Sequence, residues 1–134
     1  HDAADSVAYV FELNQARFAL ATDIGCVRDG WLKHISGADA VLLESNYDPD
    51  MLKAGPYPYD LKKRIASRRG HLSNPDSAAL AARLCASGTK KLMLAHLSQE
   101  NNLPELAYRS SLCLLQDTDI SLSVAAVSEP TKLV

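Results

Sequence analysis

The chain has 134 residues, 47% of them hydrophobic, with a formal net charge of −2. That length suits one domain, since a typical domain spans roughly 100–200 residues, and that apolar share permits a real core. The slightly negative balance excludes a global field for polyanions, so any nucleic-acid contact must come from a local basic patch.

In chain order, residues 7–13 (Val-Ala-Tyr-Val-Phe-Glu-Leu) and 17–22 (Arg-Phe-Ala-Leu-Ala-Thr) read as strands. Asn14-Gln15-Ala16 between them is short enough for a hairpin turn. Residues 29–35 predict a short helix. Residues 40–44 form a continuous apolar run ending in Glu44, typical of a strand buried on both faces. Residues 50–53 allow one helical turn. Residues 59–68 place Leu61, Ile65 and Ala66 at helical spacing, opposite a basic face. Asn74-Pro75-Asp76-Ser77 is a helix start, with Asn74 expected to cap, and the helix should stop at Ser87-Gly88. A strand follows over 91–95, a helix from Leu103-Pro104-Glu105 to about Gln116, and an apolar strand over 120–127. The tail from Glu129 suits a frayed end or the start of another element. Strands alternating with helices give an α/β layered pattern.

No run of about 18 apolar residues occurs, so no membrane span is expected, and no secretory leader is visible. The three cysteines, Cys26, Cys85 and Cys113, fit no zinc spacing. They suit buried thiols in a reducing, cytoplasmic setting better than a disulfide framework.

The chemistry-bearing residues stand where strands should end. Of four histidines, His1 opens the chain, His71 lies in Gly-His-Leu-Ser-Asn, and His96 ends the apolar run 91–95. Asp23 follows the strand at 17–22. Imidazole and carboxylate are ligands of hydrolytic metal sites, and open α/β sheets place their chemistry at the carboxyl ends of strands. A metal-dependent hydrolase is therefore expected. His34 has no polar partner in sequence and receives no role.

Several residues carry two readings at this point. Ser73 and Asn74 either cap a helix or help its first amides bind an anion. Glu44 either orients His71 or stabilises a turn from within. The cluster Lys62-Lys63-Arg64, with Arg68-Arg69, is either a solvated helix face or a surface for backbone phosphates. Tyr47, Tyr57 and Tyr59 either pack or stack on unpaired bases.

Taken together, the segments His1-Asp2-Ala3, Thr22-Asp23-Ile24-Gly25, Leu43-Glu44-Ser45-Asn46-Tyr47-Asp48, Leu61-Lys62-Lys63-Arg64-Ile65, Gly70-His71-Leu72-Ser73-Asn74 and the run from Leu94 to Asn102 resemble the metallo-β-lactamase superfamily. Within it they resemble the WalJ/YycJ-type exonucleases, relatives of tRNase Z. The resemblance covers nearly the whole chain. It implies an αββα sandwich with a di-metal site (zinc or manganese) between two sheets. It makes His1, Asp23 and His96 metal ligands, with Asp23 bridging both ions. His71 is the histidine facing the scissile phosphate, so His71 and Asp23 are the catalytic pair. Ser73, Asn74, Lys62 and Arg64 are the expected substrate contacts, and nucleic acid, DNA first, is the expected substrate.

One departure from the family pattern matters. The motif His-x-His-x-Asp-His, which supplies most ligands for both metals, does not occur in the sequence. Residues 1–134 are thus expected to be the C-terminal half of a longer metallo-β-lactamase-like domain, poorly active without the N-terminal half. Two other readings remain: hydrolysis of RNA or of a small ester or lactam on the same fold, and a non-catalytic binding module if the chain is naturally complete.

Overall fold

The computed structural model describes residues 6–133. The elements run β1 (Tyr9–Leu13), β2 (Ala16–Ala21), α1 (Asp29–Ile35), β3 (Ala40–Glu44), α2 (Pro49–Ala54), α3 (Tyr59–Ile65), α4 (Asn74–Ala86), β4 (Lys91–Ala95), α5 (Pro104–Leu115) and β5 (Ser121–Val124). The strands form one five-stranded sheet in sequential order. β1 and β2 pair antiparallel, and β2 through β5 pair parallel. The expected α/β class is observed.

The hairpin turns on Asn14 and Gln15 alone, both at positive φ (49° and 70°). That pair of angles belongs to the tight turn whose twist matches two antiparallel strands. Ala16 is already in β2. α3 ends at Ile65 rather than near Arg68. Beyond it the chain closes a tight loop, with the Ser67 amide on the Arg64 carbonyl and the His71 amide on the Ile65 carbonyl. β5 covers four residues of the longer run expected. The cap of α4 is Ser73 and not Asn74: its hydroxyl accepts from the Asp76 amide at 3.2 Å and donates to the Asp76 carboxylate at 2.6 Å. α2 begins one residue before the expected turn, with Asp48 capping it by accepting from the Asp50 and Met51 amides. No described helix is long and apolar enough to cross a membrane.

Strand alternation sorts side chains between the two sheet faces. Ala19, Ala21, Val41, Leu43, Leu92 and Leu94 share one face. There they meet Leu32 and Ile35 of α1, Leu80 and Leu84 of α4, and Ala107 and Leu115 of α5 in the core. Right-handed crossovers between parallel strands in sequential order place their helices on one side, and α1, α4 and α5 pack on this face. The opposite face carries Tyr9, Phe11 and Leu13 of β1, which are 53%, 55% and 66% exposed, and Phe18 of β2 at 38%. Phe11 stands directly opposite Phe18. This end of the face is a contiguous apolar surface in contact with water.

Two loops at the carboxyl ends of the strands touch through glycine. A Cβ on Gly25 would sit 2.5 Å from the Arg68 carbonyl oxygen and 2.6 Å from the Gly70 nitrogen. Gly30, in the first turn of α1, has nothing within 4 Å of such a Cβ. Gly25→Ala is expected to cost about 1–3 kcal/mol through overpacking against backbone. Gly30→Ala should be neutral or stabilising by at most about 1 kcal/mol. Chemical denaturation of both variants checks this, and equal midpoints would show that the Gly25 contact does not constrain the loops.

Candidate metal centre

The parallel strands β2, β3 and β4 end at the same edge of the sheet. Asp23 follows β2, Glu44 ends β3 and His96 follows β4. The loop before α4 returns to this edge, where the Asn46 amide donates to the Leu72 carbonyl and the Asn74 amide to the Tyr47 carbonyl. That loop carries His71. One ligand atom from each of Asp23, Glu44, His71 and His96 lies within 4.8 Å of the others.

Glu44 organises the group. Alternation along β3 puts it on the same sheet face as Leu42, the face without helices, and its residue is fully buried. Its Oε1 lies 2.7 Å from His71 Nδ1 and 2.9 Å from His96 Nδ1. Its Oε2 accepts from the Ile24 amide at 2.9 Å and the Leu72 amide at 3.1 Å. Burial alone would raise this carboxyl, but the hydrogen bonds from His71, His96 and Leu72 outweigh it and hold the group below the usual carboxylate range. An ionised carboxylate only accepts, so both rings must donate through Nδ1. A neutral imidazole so oriented carries its lone pair on Nε2, the arrangement that presents a histidine to a metal.

His96 Nε2 is turned toward Asp23 Oδ1, 3.8 Å away, and the two imidazole rings are 5.3 Å apart between centroids. The hydrogen bond to Glu44 raises the His96 pKa despite partial burial, helped by the charges of Asp23 and Glu44. Asp23 and His96 both adopt left-handed backbone angles, φ 59° and 57°. Non-glycine residues rarely do so outside turns and functional sites. The donor set of imidazole nitrogen and carboxylate oxygen is of a kind that can hold a metal ion.

The structure brings Asp23, His71 and His96 together around Glu44. His1 lies outside the described residues. Ser73 is buried and committed to capping α4. Asn74 is 1% exposed. It accepts from the Ser45 hydroxyl at 2.7 Å and donates to Asn102 Oδ1 at 2.8 Å. Its expected contact with substrate does not fit that burial, because an amide spent on neighbouring loops has no surface to offer. Lys62 and Arg64 lie on α3 and are not among these four residues; the Lys62 ammonium donates to the Lys53 carbonyl. For Glu44 both sequence readings hold at once: one oxygen orients the histidines and the other pins two loop amides.

Sequence reasoning missed the buried amide latch behind the centre. Asn102 donates to the Ser45 carbonyl, and Asn46 donates to the His96 carbonyl at 2.7 Å. The doublet Asn101-Asn102, in a stretch rich in polar residues before a proline, was its only trace. A cleft of about 440 Å³ opens beside His96, between Leu97, Ser98 and Gln99 and the segment Ala125–Val127 after β5.

With this geometry in place, the sequence has clear relatives. Exodeoxyribonuclease YycJ of Bacillus anthracis is 42% identical over 125 residues, which is 93% of this chain and 47% of that protein. Exodeoxyribonuclease WalJ of Streptococcus pneumoniae is 40% identical over 124 residues, 92% of this chain and 46% of that protein. The chain is a homologue of YycJ and WalJ. It spans about half the length of these relatives. No family model matches it. A solved diphosphatase from the PhnP family aligns with 81% of the chain and 32% of its own, at 17% identity and a TM-score of 0.49.

The geometry gives a definite pH behaviour for metal uptake. A metal on His96 Nε2 must displace the proton that Glu44 favours, so affinity should rise as pH rises through the elevated His96 pKa. Glu44→Gln removes the charge that elevates it, letting that pKa fall toward the ordinary histidine value. It also loosens both rings, and loss of such an orienting group typically weakens metal binding about 10–100-fold. Competition with a chromophoric chelator across pH, on the complete protein and this variant, reads both effects. Unchanged affinity in Glu44→Gln would mean that Glu44 does not set up the centre.

Proposed function

We propose that this chain contributes one half of a di-metal phosphodiesterase centre that acts on nucleic acid, with DNA as the first expectation and exonucleolytic cleavage as the mode. The observation that carries this is the buried Glu44 carboxylate holding the Nδ1 atoms of His71 and His96, with His96 Nε2 turned to Asp23. A purely structural carboxylate has no need of two partly exposed imidazoles. The homologues, both named as exodeoxyribonucleases, support the substrate class.

On this reading Asp23 and His96 hold the ions together with ligands from the rest of the protein, His1 being one candidate. Two divalent ions, when bound, supply Lewis acidity for a water nucleophile and for the phosphodiester oxygens. His71, its Nδ1–H held by Glu44, faces the phosphate and, in its doubly protonated form, donates the Nε2 proton to the leaving oxygen. The cleft beside His96 offers room for the nucleoside on one side of the bond.

The bare sheet face supports the accompanying proposal on domain organisation. Tyr9, Phe11, Leu13 and Phe18 would be covered by a second sheet from the rest of the protein, completing an αββα sandwich of the metallo-β-lactamase type. The relatives, about twice as long, have sequence enough for it.

Two outcomes test this reading. In the complete protein, His71→Ala should lower single-turnover cleavage of a labelled oligonucleotide by about 10²–10⁴-fold, the usual cost of losing a general acid, at unchanged metal content. Asp23→Ala should lower both. A His71→Ala enzyme that turns over normally, or one that loses its metals by elemental analysis, would assign His71 the wrong role. The 134-residue chain alone should show little activity, because Asp23 and His96 cannot by themselves fix two ions. Chelator-sensitive nuclease activity from the isolated chain would overturn the half-site proposal.

A further inference from the structure

A groove of about 440 Å³ lies between α2 and α3, apart from the group around Glu44. Tyr47 and Leu52 form its apolar floor, and Lys53, Lys62, Lys63 and Tyr59 stand around it. Every charged residue that lines it is a lysine, in a chain whose net charge is −2. The nearby Asp48 carboxylate is occupied in capping α2. Two of the cations are held in place: the Lys62 ammonium by the Lys53 carbonyl at 2.7 Å, the Lys63 ammonium 5.3 Å from the Tyr59 ring centroid. The Tyr59 residue is 73% exposed, so a large, flat, partly apolar ring is offered to solvent beside fixed positive charge.

The groove adjoins the loop of His71. Tyr47 forms a β-bridge with Ser73, two residues beyond that histidine, and its carbonyl accepts from the Asn74 amide. The groove and the loop of His71 thus share Tyr47 as a common wall.

We propose that this groove is a subsite for single-stranded nucleic acid, taking one base against Tyr59 over the apolar floor and the flanking phosphates at Lys62 and Lys63. Its volume lies within the range of about 300–1,000 Å³ typical of small-molecule sites. An aromatic face accepts any base, and lysines provide point charges for phosphates without demanding a sequence. Duplex nucleic acid keeps its bases stacked on one another, so only an unpaired strand can use the Tyr59 face. The subsite rests on the phosphodiesterase reading above and locates part of its substrate.

The test measures binding by the complete protein with its metals chelated, so that nothing is cleaved. Fluorescence anisotropy of short labelled oligodeoxynucleotides and oligoribonucleotides is followed over a salt series. Tyr59→Ala should weaken binding by about 5- to 150-fold, the loss expected for one stacked base. The salt slope should not change, and neither should the melting temperature. The double variant Lys62→Ala/Lys63→Ala should reduce the slope of log K against log salt by about 0.7 for each phosphate no longer neutralised. Cleavage is read separately on the metal-loaded protein: a wild type that cleaves the oligonucleotide there, with variants that bind it as tightly as wild type in the chelated assay, would overturn the subsite and leave the phosphodiesterase reading standing. A wild type that neither binds nor cleaves any oligonucleotide would remove that reading and the subsite with it. Polyglutamate competing as well as an oligonucleotide would overturn the subsite too, because a bare polyanion has no base to stack.

Discussion

The Glu44 carboxylate is the interaction on which the rest of the site depends. It closes the carboxyl end of β3 and reaches three separate connections: the loop after β2 through Ile24, the loop before α4 through His71 and Leu72, and the loop after β4 through His96. Hydrogen bonds to a charged group contribute about 1.5–3 kcal/mol each. A buried carboxylate without such partners loses several kcal/mol of hydration. The group is therefore stable inside only while all three loops stay where they are. Folding of the three loops and placement of the two histidines are therefore coupled through this one carboxylate.

That arrangement explains why two unfavourable backbone conformations persist. Asp23 and His96 both sit at positive φ directly after parallel strands, and such residues cost on the order of 1–3 kcal/mol where nothing compensates them. Each is followed or flanked by a contact that fixes it: Ile24 gives its amide to Glu44, and the His96 carbonyl accepts from Asn46. The amide latch of Asn74 and Asn102 ties the next layer of loops to Ser45. A chain that turned gently out of β2 or β4 would carry Asp23 and His96 away from the edge. The sharp left-handed step keeps both side chains over it.

Most elements were legible in the sequence because their signals are local. The apolar runs of 40–44 and 91–95, the Pro75 and Pro104 helix starts and the Gly88 stop each depend on neighbours within a few residues. Where the reading slipped, a contact from afar decided. α3 stops short because the loop carrying Gly70 must approach the Ile65 and Arg64 carbonyls closely. Asn74 yields the cap to Ser73 because its amide is claimed by Ser45 and Asn102, residues 29 and 28 positions distant. The site was legible in residue type and position, as histidine and aspartate after strands, but not in its wiring. The bonds of Glu44 span 20 to 52 positions, and no periodicity reports them.

The location of the centre follows from the topology. Sequential parallel strands send their helices to one side and leave the Tyr9, Phe11, Phe18 face without cover. Glu44 projects onto that same face at its end, because alternation from Leu42 puts it there. The helical side is filled by Leu43, Leu94 and their partners and has no room for a ligand. The bare side has room, and its carboxyl edge is where Asp23 and the two imidazoles meet. Polar chemistry thus collects at a seam, with dry apolar packing on one side and an exposed apolar surface on the other. Closing that seam would strip water from around Glu44, Asp23 and the imidazoles, and their mutual attraction would strengthen as the local dielectric falls. Were a second sheet to cover that face, as proposed above, the same step would bury the apolar surface and tighten the centre.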